Sequence, residues 1–142
     1  MASRVHGKNA DFSFNAVALE GELDSIVQNI TAPEAEITSF TDVYQNFLAG
    51  KKGTTYELAG TLNMAAAGAD VTLFGQIGSG RVSTIFDPTG SGPAANAPEY
   101  QCTASGLTGT LVKSYRLSLP VGGKAALSAT LQVSGTLSRA VA

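Results

Sequence analysis

The chain has no tryptophan, one cysteine and one histidine in 142 residues, and only 14% of its residues are charged. Each shortage removes a class of function. A lone cysteine, Cys102, cannot close an internal disulfide, and with His6 as the one histidine there is no Cys/His set for a zinc site. No Cys–His or Ser–His–Asp grouping assembles without His6, which sits in a polar N-terminal stretch. No apolar run approaches the ~20 residues needed to span a bilayer as a helix, so membrane insertion by this chain is not expected. The N-terminus, MASRVHGKNADF, has no apolar core of a secretory signal, and the chain is expected to be made in a cytoplasm. No cofactor and no enzymatic activity are expected.

What is present is small. The apolar fraction is 44%, which is too high for a disordered chain, but 21 residues are alanine and 16 are glycine. Large side chains supply most hydrophobic stabilisation, at about 25 cal/mol per Å² buried. The core they build here is thin, and assembly with other copies would add stability by mass action. The net charge of −2 is unevenly spread: residues 1–70 carry nine acids and four bases, residues 71–142 two acids and five bases. Such a layout suits subunits that stack on copies of themselves. No basic cluster has the density that gripping a phosphate backbone requires, so tight nucleic-acid binding is not expected.

Period-two alternation dominates both ends, the signature of half-buried strands. Residues 11–15 place Phe12 and Phe14 on one face, 15–16 form a tight turn, and 17–30 read as one long strand. In it Leu19 and Leu23 face one way, and Glu20, Glu22 and Asp24 the other. Pro33 breaks the pattern and opens an excursion over 31–53. There Thr41 and Asp42 read as the N-terminus of a short helix whose apolar side is Val43, Tyr44, Phe47 and Leu48, stopped at Gly50 before Lys51 and Lys52. Residues 54–64 alternate again as a strand. Residues 65–77 are the best helix, with Ala66, Ala69, Leu73, Phe74 and Ile77 as its core-facing stripe and Gly78 as its stop. A short strand at 81–86 precedes a proline- and glycine-rich flexible loop at 87–98. Strands at 99–104, 107–121 and 124–137 close the chain, the last two joined at Gly122-Gly123 as a two-residue hairpin. No tandem repeat is present. The expected architecture is a single α+β domain, mainly antiparallel β, with one helix and a second short one.

Two apparent sites dissolve on inspection. Gly75, Gly78 and Gly80 resemble a phosphate loop, but they follow a helix where a dinucleotide fingerprint follows a strand. Glu20, Glu22 and Asp24, at alternate positions of a strand, stand roughly 7 Å apart, too far for one cation without help from other segments. A solvated acidic face is the simpler reading. Cys102 reads as a small buried hydrophobe.

With these residues in view, the run ADFSFNAVALEGELDSIVQNI resembles the opening of bacteriophage tail tube proteins, through Leu19, Gly21, Leu23, Asp24 and Ser25. The segment EITSFTDVYQNFLAGKKG is similar to that family's Thr-x-Phe stretch and short helix, through Thr38, Phe40, Tyr44, Leu48 and Gly50. The closing SYRLSLPVGGKAALSATLQVSGTLSR is similar to its final hairpin. These signatures are structural and none is catalytic.

The resemblance implies two packed antiparallel sheets flanked by one helix, in hexameric rings that share a continuous inner barrel and stack into a tube for genome passage. It implies an N-terminal arm at 1–10 and an inter-subunit or inter-ring loop at 31–53, carrying Glu34, Glu36, Phe40, Asp42, Tyr44, Phe47, Lys51 and Lys52. By its own charge the stripe Glu20, Glu22 and Asp24 would suit the lumen of such a tube, where a negative wall repels phosphates, with the outer tube surface as the rival placement. By their spacing Ala69, Leu73, Phe74 and Ile77 would be the helix's core face. Implied partners are the chain itself and other tail proteins (tape measure, terminator, baseplate or tip). DNA would transit without specific binding, in a virion tail assembled in the bacterial cytoplasm. The alternatives are a capsid decoration or head-completion protein and the inner tube of a contractile injection machine.

Overall fold

A computed structural model of the chain describes residues 10–19, 23–61, 69–90, 93 and 97–140. Its first strand, β1 (Asp11–Phe14), buries Phe12 and Phe14 completely. The expected tight turn is there. Asn15 and Ala16 both adopt positive φ, 54° and 63°, and lead into β2 (Val17–Ala18), with Phe14 opposite Val17. Two successive left-handed residues give a primed turn, whose twist matches that of the strands it joins.

The long strand expected at 17–30 is instead two. β2 stays with β1, whereas β3 (Leu23–Thr31) pairs with β6 (Gly53–Thr61) in a different sheet. Leu19 and Leu23 contact the same core, which is why the apolar alternation runs through the change of sheet unbroken.

The excursion over 31–53 holds no helix. It is a hairpin of β4 (Glu34–Glu36) and β5 (Phe47–Ala49), antiparallel, with Glu34 opposite Ala49 and Glu36 opposite Phe47. β6 then alternates buried Thr54, Tyr56 and Leu58 with more exposed partners; the expected continuation to Leu62 and Met64 lies outside the described residues. The helix α1 is described over Ala69–Gln76 and ends in a turn at Gly78, where φ is 76°.

β7 (Thr84–Asp87) and β8 (Glu99–Cys102) follow, on either side of the proline- and glycine-rich segment. That segment starts with a built turn: the buried Asp87 carboxylate accepts from the Thr89 amide and hydroxyl and from the Gly90 amide. β9 (Gly109–Ser118) and β10 (Ala126–Ser134) pair as expected, but not through a two-residue hairpin. Ser118 lies opposite Ala126, and Gly122 and Gly123 belong to a turn in the loop between, with the Gly123 amide on the Pro120 carbonyl. The strand expected over 124–137 stops at Gly135. There φ is 83° and a Cβ would collide with Thr108, so the chain breaks and resumes as β11 (Ser138–Ala140).

The strands form a five-stranded sheet in the order β11-β8-β7-β1-β2, a four-stranded sheet in the order β3-β6-β10-β9, and the separate β4-β5 pair. All named pairings are antiparallel. The two larger sheets share one core. The five-stranded sheet contributes Phe12, Phe14, Phe86 and Cys102; the four-stranded sheet contributes Tyr56, Leu58, Val112, Leu127 and Leu131. At its centre Phe12 and Tyr56 meet edge to face at 5.3 Å, and Phe86 packs on both, at 6.2 and 5.8 Å. This cluster ties one sheet to the other. The architecture is the expected mainly antiparallel α+β fold, but among the described residues it has one short helix, the second one expected in 31–53 being the β4–β5 hairpin.

Candidate assembly surfaces

The β4–β5 hairpin is an arm. It pairs with no strand of either larger sheet, and it carries Ile37, Phe40, Val43, Tyr44, Phe47 and Leu48, all exposed. Short polar side chains bond its backbone in place of a helix ladder. The Asp42 carboxylate accepts from the Ser39 amide at 2.7 Å and from the Asn46 side-chain amide at 3.2 Å. The Asp42 amide donates to the Ser39 carbonyl at 3.0 Å, and the Asn46 amide donates to the Thr38 hydroxyl at 2.8 Å. Val43, Tyr44, Phe47 and Leu48, although helically spaced, do not form a helix: Phe47 and Leu48 pair with Glu36 and Ala35 of β4, and the Asn46 backbone bonds the Ile37 amide and the Thr38 hydroxyl across the hairpin. The Ser39 amide, with help from Asn46, holds the Asp42 carboxyl below its ordinary range. The result is a braced turn with Phe40 fully exposed at its tip. Gly50, expected as a helix stop, pinches the base of the arm: its amide bonds the Pro33 carbonyl, and a Cβ there would collide with that oxygen.

The second surface is the face of the four-stranded sheet turned away from the core. Cross-strand rows run Ser25, Ala59, Ser128, Arg116, then Val27, Glu57, Thr130, Ser114. Most of these side chains are small or hydroxylated. Both outer strands of the sheet carry a bulge. In β3 Leu23 faces Gly60 and Ser25 faces Ala59, so Asp24 is the extra residue. In β9 Val112 faces Leu131 and Ser114 faces Thr130, so Lys113 is the extra residue. The first half of the β9 edge is bridged by Ile77 and Val82, while from Lys113 onward no bridge is described. A bulge with a charged residue on an outer strand is a common device for discouraging unwanted pairing.

Of the acidic stripe, Asp24 is described, and its carboxylate pairs with Lys124 at 2.6 Å with both side chains more than half exposed. Glu20 and Glu22 lie outside the described residues, as do His6 and residues 1–9 of the N-terminal arm. Of the expected helix face, Leu73 is completely buried, but Phe74 and Ile77 are exposed, which corrects their placement in the core. The helix lies against β9, with Ile77 bridged to Val112, and among its described side chains Leu73 is the one in the shared core. The Ala69 side chain lies outside the described set. Glu34, Glu36, Lys51 and Lys52 are exposed along the arm and at its base.

Two features were not legible in the sequence. The first is a cavity of about 550 Å³ where the base of the arm, the end of β3, β8 and the β10–β11 link converge, lined by Ile30, Tyr100, Leu137, Lys51, Lys52 and Arg139 among others. The second is polar burial in the core. The Tyr56 hydroxyl accepts from Gln28 at 3.0 Å, and burial pushes its pKa upward. The Thr84 and Thr110 hydroxyls are buried with no hydrogen-bond partner among the described residues. Cys102 is buried, as expected. Among the described residues no three His, Cys, Asp or Glu side chains gather as a metal site, and no helix is long and apolar enough to cross a membrane.

No protein-family model matches the chain, and no curated protein does. Solved structures match over almost its whole length. A chain in the virion of a native gene transfer agent particle aligns at TM-score 0.75 and 15% identity, covering 96% of this chain and 98% of its own. The SPP1 tail tube, solved by solid-state NMR and electron cryo-microscopy, aligns at TM-score 0.70 and 15% identity, covering 96% of this chain and 79% of its own. A chain of the PVC sheath–tube complex, an extracellular contractile injection system in its extended state, aligns at 0.68 and 10%, covering 96% and 90%. Two packed antiparallel sheets, one short helix and a projecting arm give this chain the tail-tube fold.

Proposed function

We propose that the chain is a structural virion protein that polymerises as stacked rings, with six subunits in each, to form a tail tube through which DNA passes to the host. The observation that carries this reading is the four-stranded sheet. β3 has no described partner on its outer side, and β9 is open from Lys113 onward. Joining the β9 edge of one copy to the β3 edge of the next removes both edges and continues the sheet around a ring. The charged bulges guard each edge against pairing with its own kind while leaving opposite signs to meet, Lys113 and Arg116 on β9 against Asp24 on β3, which would exchange its Lys124 partner for them. The thin core adds support, because a subunit stabilised by its neighbours needs less burial of its own.

In such a ring the outward face of the four-stranded sheet lines the lumen. Its hydroxyl-bearing rows offer few cations to grip phosphate, and Glu57 adds a negative group near the middle, so DNA slides without being held. Glu57 is thus an acid for that wall alongside the stripe Glu20, Glu22 and Asp24. The arm at 31–53 reaches neighbouring subunits or rings. The whole of 1–142 acts as one tube domain in a virion tail, with terminator and baseplate or tip proteins at the tube's ends and a tape measure inside. No catalytic step belongs to this role.

Negative-stain microscopy of the purified chain, concentrated stepwise, tests the proposal. Rings or tubes with a central channel are expected. Particles that stay monomeric or trimeric at every concentration, and that bind preformed capsids, overturn the tube reading in favour of a decoration protein.

A further inference from the structure

The cavity beside the arm's base is chemically lopsided. Ile30, Tyr100 and Leu137 supply an apolar floor, and Lys51, Lys52 and Arg139 a cationic rim. Among the described residues no carboxylate lines it, and none of the three cations makes an ion pair. Its volume of about 550 Å³ falls in the range of roughly 300–1,000 Å³ typical of binding pockets.

The complementary chemistry is on the same chain. Between residues 31 and 50 the arm carries Glu34, Glu36 and Asp42 and no basic residue. Its tip presents a fully exposed Phe40 beside the Asp42 carboxylate, in a turn already braced by the Ser39 and Asn46 bonds. A preorganised aromatic anchor with an adjacent charge loses little freedom on docking.

The arm does not reach its own cavity. Lys51 and Lys52 follow directly on Gly50 at its base, and the β4–β5 pairing holds the tip outward, by up to roughly 20 Å at ~3.3 Å per residue. The occupant is therefore another copy. The geometry points to this cavity as the receptor for the arm tip of a second copy, with Phe40 on Ile30, Tyr100 and Leu137, and Asp42 facing Lys51, Lys52 and Arg139. Donor and receptor are different patches, so the contact is heterologous: each copy gives one arm and takes one, and repetition closes a ring or extends a stack. This inference rests on the tube reading and names the surface that the arm finds.

Two single-cysteine additions test it, Thr41→Cys at the tip and Leu137→Cys in the floor, with Arg139→Cys as an alternative receptor should the floor variant fail to fold. Cys102 is buried and adds little background. Mixed tip and receptor variants, assembled and treated with a short bis-maleimide, are expected to give a covalent dimer that neither variant gives alone. Phe40→Ala is expected to raise the concentration for half-assembly at least about tenfold, as loss of a central aromatic anchor does. Tubes that form without the mixed cross-link and at an unchanged concentration overturn the cavity as receptor and leave the tube reading standing. If the unmodified protein never assembles, both are overturned.

Discussion

Replacing Phe12 with alanine probes the junction between the two sheets. The ring is completely buried and contacts Tyr56 at 5.3 Å and Phe86 at 6.2 Å, so the substitution removes one corner of a three-ring cluster spanning both sheets. Burying a phenylalanine removes about 150–250 Å² from water. At about 25 cal/mol per Å² that is roughly 4–6 kcal/mol, an upper bound because the unfolded chain is partly compact. Phenylalanine-to-alanine changes in cores commonly cost about 3–5 kcal/mol, and about 4 kcal/mol is expected here. Against the ~5–15 kcal/mol of an ordinary domain, that is a large fraction.

The assay is urea unfolding of dilute, unassembled protein, since assembly would add its own stabilisation. With a slope near ~2 kcal/mol/M, the midpoint should fall by roughly 2 M while the slope stays constant. Phe40→Ala is the internal control. That ring is fully exposed on the arm, and its removal should shift stability by no more than about 0.5 kcal/mol. A loss below about 1.5 kcal/mol for Phe12→Ala, or equal losses for the two variants, would refute the account of the core.

Two further outcomes are expected. Thr110→Val keeps the shape of a buried side chain whose hydroxyl has no described partner, and leaves the backbone bonds between Thr110 and Val82 intact. It should stabilise the fold by about 1 kcal/mol, and a lower urea midpoint would contradict this. Asp42 should titrate below its ordinary value of 3.8, because the Ser39 amide bonds the carboxylate form. Its lowered folded pKa means that the order this bond gives the turn is fully present above 3.8 and is lost as pH falls through the lowered value. Carboxyl-carbon NMR read alongside the Ser39 amide shift follows the change, and a midpoint at or above 3.8 would count against the bond.

The legible parts of the fold are those buried on one side. Phe12 and Phe14, Tyr56 and Leu58, and Leu127 to Val133 alternate because each of their strands has one face on the core, and that asymmetry imposes a period of two. Where burial vanishes, the signal goes with it. β4 and β5 are exposed along their whole length, so nothing in their residues records a strand, and Val43, Tyr44, Phe47 and Leu48 imitate a helix face. The change of sheet between β2 and β3 is hidden because Leu19 and Leu23 serve one core from both sides. The bulges at Asp24 and Lys113 depend on how neighbouring strands pair, which local pattern does not report. The arm was visible as a segment, 31–53. The cavity was not, since Ile30, Tyr100, Leu137 and Arg139 converge from distant parts of the chain.

The arm's attachment has a consequence for variation. It meets the body at the pinch between Pro33 and Gly50, and its strands pair only with each other. Substitutions at its tip therefore leave the core's stability almost untouched, and the tip can change its chemistry at a rate the sheets cannot match. An exchange of residues 37–45 between related chains amounts to swapping a cassette: the tip can be rebuilt without renegotiating how the body folds.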